Sequence, residues 1–392
     1  MKVKFGFIKA LLPLTLVLVL FCVGCGQGGS TATTTVTATA TKTVTATPTT
    51  TTPPDVIQLK CATHFGAPAA QSKALDQFCK DVTEQTGGKI KIDFFAGATL
   101  LDAPAMYQGV VDGVADIGYD PIHYTAGRFP VTEVITSTLG WPSAWVGAHV
   151  ANEFYYKYKA AQAEWDKVKV LWIQANEPKV IYTKTPVRTL EDLKGKILRA
   201  AGSAGGIITA LGGTSAATST ATMADDIKKG TLDGAFLPYE TLKTFKTAEV
   251  IKYITSCWNI GSTDCFFMVM NKDSYKKLDA IPEAKAVFDR LVGQYFEYFA
   301  GLVWNQIDYA GLAEAQKYGV EVIELSAAEA ARWEVAAIPA VEKYKTTMVG
   351  KGYTAAEVQG WVDFIKERIS YWSAKQIELN ILSLTGPSDM RQ

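Results

Sequence analysis

Residues able to hold a metal or attack a carbonyl are few in this 392-residue chain and poorly spaced for either task. The histidines His64, His123 and His149 are scattered. Of the six cysteines, Cys22 and Cys25 stand near the N-terminus, and Cys61, Cys79, Cys257 and Cys265 follow. None of these last four forms the CxxC pair of a zinc site, so no metal is expected. No G-x-S-x-G, H-E-x-x-H or P-loop occurs, and no G-x-G-x-x-G follows a strand. The glycine-rich run Gly202-Ser-Ala-Gly-Gly206 lacks the spacing of a phosphate cradle. Paired carboxylates for glycoside chemistry are the one arrangement that spacing leaves open, because their pairing is spatial. Neither enzymatic activity nor a cofactor is therefore expected. Binding, rather than turnover, is the chemistry to look for.

Composition narrows the partner. Formal net charge is zero, 48% of residues are hydrophobic and 20% are charged, the balance of a globular protein with sizeable cores. No basic excess or stripe points to nucleic acid. The N-terminus reads as an export signal over residues 1–24. Lys2, Lys4 and Lys9 precede an apolar run from Ala10 to Val23, too short to span about 30 Å of hydrocarbon. Val23-Gly24-Cys25 resembles a bacterial lipobox, with Cys22 where leucine is usual, which makes Cys25 the expected lipidation site. Residues 25–55 continue as a Thr/Ala/Val-rich, aromatic-free tether that ends at Pro53-Pro54. Losing residues 1–24 removes three lysines and no acid, which leaves the mature chain slightly acidic. An oxidising compartment permits disulfides, and Cys61, Cys79, Cys257 and Cys265 allow three connectivities. The local pairs 61–79 and 257–265 are favoured.

The rest of the chain alternates strand and helix signals. Val56 to Ala62 reads as a strand. Pro68 to Thr86 reads as a helix, with Leu75, Phe78, Cys79 and Val82 on one stripe and Gly87-Gly88 as its stop. Lys89 to Phe95 alternates as a half-buried strand does. Pro104 to Val111 is a helix ended by Gly113, and Asp116-Ile-Gly-Tyr119 opens a strand. The pattern recurs with Ile207 to Leu211, then Met223 to Lys229 ended by Gly230, then a strand from Thr231. Gly113-Val-Ala-Asp116-Ile and Gly230-Thr-Leu-Asp233-Gly echo each other, as two similar α/β halves would. From Ile281 the chain is mostly helical. Ser326-Ala-Ala-Glu329 reads as a capping box, and Tyr353 to Lys375 carries a helical apolar stripe.

These segments resemble, in order over about residues 57–375, the solute-binding subunits of tripartite ATP-independent periplasmic (TRAP) transporters, the dicarboxylate-binding-protein-like family. The matching stretches are Phe78 to Ile92 with its Thr86-Gly-Gly-Lys89 turn, Gly113-Val-Ala-Asp116-Ile, and Pro186 to Arg199 with Asp192-Leu-Lys-Gly195. Ala210-Leu-Gly-Gly, Gly230-Thr-Leu-Asp233-Gly and Lys317-Tyr-Gly-Val-Glu-Val complete the set. The resemblance implies a two-lobed α/β periplasmic-binding-protein fold with a ligand cleft between the lobes and a helical C-terminal region. Lobe I would hold residues 56–176 and about 266–305, and lobe II residues 177–265 and about 306–345. Residues 346–392 would form a C-terminal helix packed across both. The function implied is capture of a small organic acid outside the cytoplasm, by a lipid-anchored monomer, for the membrane subunits of a TRAP transporter. A binding protein of an ABC-type importer, which shares the two-lobe plan, is the alternative.

The resemblance also implies that Arg199, at the end of its strand, makes a bidentate salt bridge with the ligand carboxylate. Guanidinium is planar, always charged and presents paired donors that match a carboxylate. Some sialic-acid-binding relatives carry a second arginine at the place of Lys179; lysine keeps the charge and loses the fork. Relatives often have Gln-Glu-Asn or similar polar residues after the second Gly-x-x-Asp-Gly, whereas this chain has Ala235-Phe-Leu-Pro-Tyr239. That argues against a highly hydroxylated ligand. His64, Tyr119 with Asp120, Tyr239 and Trp258 are further candidates for the cleft. One cation among aromatic rings suits a monocarboxylate with an apolar part.

Overall fold

The computed structural model describes residues 56–391; the export segment, Cys25 and the tether to Asp55 lie outside the described residues. The first unit runs β1 (Ile57–Thr63), α1 (Ala70–Gln85), β2 (Ile90–Phe95), α2 (Met106–Val111) and β3 (Ile117–Pro121). β1 pairs in parallel with β2 on one side and β3 on the other. The stripe Leu75, Phe78, Cys79 and Val82 holds α1 against this sheet, and all four are buried. Gly87 and Gly88 turn the chain at φ of 62° and 77°, a conformation that glycine adopts without steric cost. Helices α3 (Ala144–Lys157) and α4 (Lys159–Glu164) then lead to β4 (Val168–Ala175).

Residues 176–179 carry the chain to a second sheet. It is built from β5 (Val180–Thr183), β6 (Ile197–Arg199), α5 (Ser203–Ala210), β7 (Thr214–Ala216), α6 (Met223–Lys229), β8 (Gly234–Leu237), α7 (Glu240–Thr244) and β9 (Tyr253–Ser256). Residues 257–264 return to β10 (Cys265–Asn271), α8 (Lys272–Lys277) and α9 (Pro282–Tyr298). A π-helical turn, Phe299–Val303, joins α9 to α10 (Trp304–Lys317). After β11 (Glu321–Glu324) come α11 (Ala327–Gly350) and α12 (Ala355–Glu378). The sheets are ordered β2-β1-β3-β10-β4 and β11-β9-β5-β8-β6-β7. Each is parallel except for one strand delivered by a crossing segment, β10 in the first and β5 in the second, which runs antiparallel to its neighbours. This is the two-lobed α/β plan expected from the sequence.

Alternation along β5 shows why the second sheet is apolar on both faces. Val180 and Tyr182 point into one core with Leu242 and Ile254, and Ile181 points into another with Phe236 and Trp333. The first lobe has one large core. Helices also cross between lobes. Trp304 of α10 lies in the first core and Ala315 in the second lobe's; α11 runs from Trp333 in the second lobe to Met348 in the first. The stripe Val358, Trp361, Ile365 and Ile369 docks α12 on the first lobe, while Leu384 and an Arg391–Glu324 ion pair attach the following tail to the second.

The two Gly-x-x-Asp junctions do the same work. Asp116 donates its amide to the Lys60 carbonyl and accepts the Lys60 amide on Oδ2 at 2.7 Å; Asp233 does both with Ile197, at 2.8 Å. Each aspartate thus clips its strand to the parallel neighbour. The capping box at α11 forms only in half. Ser326 accepts the Glu329 amide, but the Glu329 carboxylate turns away to the Leu190 amide (2.8 Å) and the Trp333 indole (3.0 Å). Complete boxes occur instead at Thr189/Asp192 and Thr354/Glu357. Neither favoured cysteine pairing is formed: Cys61, Cys79, Cys257 and Cys265 are all buried free thiols, and Cys257 lies in a core of the second lobe while Cys265 lies in that of the first.

Candidate functional site

Parallel strands point their carboxyl ends at the crevice where ligands of open α/β sheets bind. In this chain those ends carry the polar residues. His64 follows β1, Asp120 and His123 sit at and after the end of β3, and Arg199 closes β6. The crossing segments add Lys179 and Asp264. These segments run side by side, with the Asn176 amide on the Asp264 carbonyl (3.1 Å) and the Lys179 amide on the Ser262 carbonyl (3.0 Å).

The polar groups pair off and leave one cation over. Lys179, only 4% exposed, sets its Nζ 3.0 Å from Asp264 Oδ1, and His123 Nδ1 lies 3.7 Å from the same oxygen. Burial pulls the Lys179 ammonium below its usual range, against the attraction of Asp264, and Arg199 adds to the fall. Burial would raise Asp264, yet Lys179 and His123 outweigh it and hold the carboxyl below its ordinary value. Burial also depresses His123, which Asp264 only partly offsets. His64 Nδ1 stands 2.5 Å from Oδ1 of the fully buried Asp120. Burial lifts that carboxyl to about 6, with His64 opposing. Arg199 has no ion-pair partner among the described residues. Its Nε donates to the Thr218 carbonyl at 3.2 Å, and its charge reaches His123, Tyr124, Lys179 and Asp264.

An aromatic wall stands beside these groups. The ring centroids of His64 and Phe65 lie 4.1 Å apart, those of His64 and Tyr124 5.3 Å, and those of His123 and Tyr124 4.3 Å. The arrangement can bind an anion through one free guanidinium and cover an apolar body with rings.

Arg199, Lys179 and His64, picked out in the sequence, thus come together. Tyr119 lies behind the wall. It is fully buried, accepts a hydrogen bond from Gln174 at 2.9 Å and stacks on Phe266. Tyr239 does not join the group. It is buried in a core of the second lobe beside Leu237 and Leu242, because it starts α7, whose backbone packs closely on Gly311 of α10. Trp258 is half-buried at the head of a short 3₁₀ turn, next to Asn259, which bonds the Ala330 carbonyl of α11. His123, Tyr124 and Asp264 were not singled out. The histidine spacing fits no metal site and carries no signal for His123, and Asp264 meets Lys179 only through the fold. A charged residue opening the apolar run Cys265–Met270 is the one local signal for Asp264.

A family model described as bacterial extracellular solute-binding protein, family 7, matches residues 62–347. A TRAP periplasmic solute-binding protein from Desulfovibrio salexigens, crystallised open with a neighbouring molecule's C-terminus in its ligand site, is 30% identical. The similarity covers 80% of this chain and 96% of that one, with a TM-score of 0.72. A marine-metagenome TRAP solute-binding protein specific for aromatic acid ligands, solved with metahydroxyphenylacetate, is 25% identical, over 81% and 99% of the two chains, with a TM-score of 0.72. The uncharacterised protein YiiZ of Salmonella typhimurium is 25% identical over 64% of this chain and 77% of its own.

Proposed function

The chain belongs to the bacterial extracellular solute-binding proteins of family 7, the solute-binding subunits of TRAP-type transporters, and on that footing we propose that it captures an aromatic monocarboxylate on Arg199. The observation that carries the reading is the unpaired state of Arg199 beside pairs that cancel. Lys179 is matched by Asp264 and His64 by Asp120, so the site offers one net positive charge. A single carboxylate neutralises it; a dicarboxylate would bring a second charge into a partly dry site at a cost. The rings of Phe65, Tyr124, His64 and His123 supply an apolar and polarisable wall for the body of the acid. The aromatic-acid specificity of the marine-metagenome relative is consistent with this.

In this reading the lobes, residues 56–176 with 266–305 and 177–265 with 306–345, close over the acid. Lys179 acts as an auxiliary contact, and Tyr119 backs the aromatic wall. The monomer is held outside the cytoplasm by a lipid on Cys25 and delivers its ligand to TRAP membrane subunits. The family match does not favour the ABC-importer alternative. A thermal-shift screen of the protein against organic acids tests the ligand class. Aromatic monocarboxylates are expected to raise the melting temperature. Stabilisation by dicarboxylates or neutral sugars alone would overturn it.

A further inference from the structure

Asp264 has two cationic neighbours, Lys179 and His123, whereas Asp120 depends on one. Asp120 lies in β3 at 0% exposure. Among the described residues its carboxylate finds no backbone amide and no hydroxyl. Its one polar partner is His64 Nδ1, 2.5 Å from Oδ1. That nitrogen is buried, yet the His64 side chain keeps 22% exposure, and its Nε2 makes no hydrogen bond among the described residues. The ring follows β1, at the carboxyl end that faces the crevice, and stands edge to face with Tyr124, centroids 5.3 Å apart.

A buried carboxylate with no other donor is costly as a lone charge. Asp120 is therefore best answered when His64 is an imidazolium, which presents Nε2–H to the crevice. Loss of that proton turns the pair from neutral to anionic and Nε2 from donor to acceptor. Both changes oppose a carboxylate in the crevice.

We propose that Asp120 is a positioning residue that holds His64 as an imidazolium, and that His64 Nε2–H is a second donor to the bound acid beside Arg199, so that capture of the anion is coupled to a proton on the pair. The inference rests on the aromatic-acid reading of the site and adds to it a regulation by pH. Each proton lost lowers the charge of the site by one, so affinity falls as pH rises. The two groups titrate as a unit. Burial lifts the Asp120 carboxyl to about 6, well above the range in which a free carboxyl titrates. By reciprocity, a bound acid draws protons onto the pair.

Other titratable groups surround the pair. Asp102, before α2, opposes ionisation of Asp120, and Tyr119 precedes it on β3. His123 and Tyr124 follow in a 3₁₀ turn, and β10 sets the apolar Phe267 opposite. Arg199, Lys179 and Asp264 act on His123 from across the crevice. His123 and Lys179 would mimic the effect, since each gains positive charge as pH falls.

The test titrates benzoate into the full protein by calorimetry between about pH 5.5 and 8. The Kd is expected to rise at least about tenfold over that span. Buffers of unlike ionisation heat should give unlike enthalpies, as proton uptake requires. Asp120→Asn should move the profile to lower pH, because the imidazolium loses its counter-ion. The double variant His64→Gln/Asp120→Asn should have a flat one, and a melting curve checks each fold. His123→Gln and Lys179→Met should keep the slope, whatever they do to affinity. A wild-type Kd that does not change with pH, a slope that survives in the folded double variant, or one lost in His123→Gln or Lys179→Met would overturn the coupling and leave the acid reading standing. No binding of benzoate by the wild type at any pH would overturn both.

Discussion

Lys179 and Asp264 face each other across the two crossing segments, Nζ to Oδ1 at 3.0 Å, at the point where both chains pass from one sheet to the other. The pair joins the segments through side chains as the Asn176 and Lys179 amides join them through backbone. It also cancels most of the Lys179 charge, which leaves Lys179 an auxiliary contact and the main anion-binding task to Arg199. Lys179→Met should therefore act mainly on stability. A loss of about 1–3 kcal/mol is expected, less than the full cost of orphaning a buried charge because Asp264 keeps some exposure and His123 stays close. Adding Asp264→Asn should restore part of it, since a neutral amide needs no counter-ion. Denaturant titration of the single and double variants measures this; no recovery in the double variant would show that the pair is not what Lys179 contributes.

The His64–Asp120 pair gives stability a sign against pH. The Asp120 carboxyl, ordinarily at 3.8, is lifted to about 6 by burial despite His64. A group raised in the folded state contributes stability that is fully present below its unfolded value and is lost as pH rises through the folded one. Between about pH 4 and 7, wild-type melting temperature should therefore fall relative to that of Asp120→Asn. Parallel melting curves over that range would show that Asp120 does not titrate there.

Gly261 is required by the closeness of the crossing segments. A Cβ there would lie 2.6 Å from the Lys179 carbonyl oxygen and 2.9 Å from Pro178 Cβ. Gly261→Ala must push the segments apart, at a cost of about 1–3 kcal/mol, and should weaken acid binding by moving Lys179 and Asp264 together. Unchanged melting and affinity would mean that the segments are looser than their hydrogen bonds suggest.

How much of this could be read from the chain depends on how local each signal was. The α1 stripe and the glycine stops were legible because helix period and positive φ act within a few residues. The echo of Asp116 and Asp233 reflects a real junction, since an aspartate one residue before a parallel strand can bind both polar groups of the adjoining chain. The capping box at Ser326 misled because Glu329 found a partner, Leu190, far off in sequence. Tyr239 misled for a similar reason: strand alternation sets which face a residue takes, but α7 begins there and buries it. His123 and Asp264 gain their meaning from Lys179 and Arg199, residues that only the crossing segments bring near them.

Arg199 is the most direct test of the whole reading. Calorimetry with the acid found in the screen, plus a melting curve for each variant, measures it. Arg199→Lys should weaken binding at least about tenfold, because a point charge replaces a fork. Arg199→Ala should cost on the order of 2–5 kcal/mol of binding, because an enclosed carboxylate loses its partner. Both variants should melt close to wild type, since the guanidinium spends only one hydrogen bond, on the Thr218 carbonyl. Normal affinity in a folded Arg199→Ala protein would contradict the assignment.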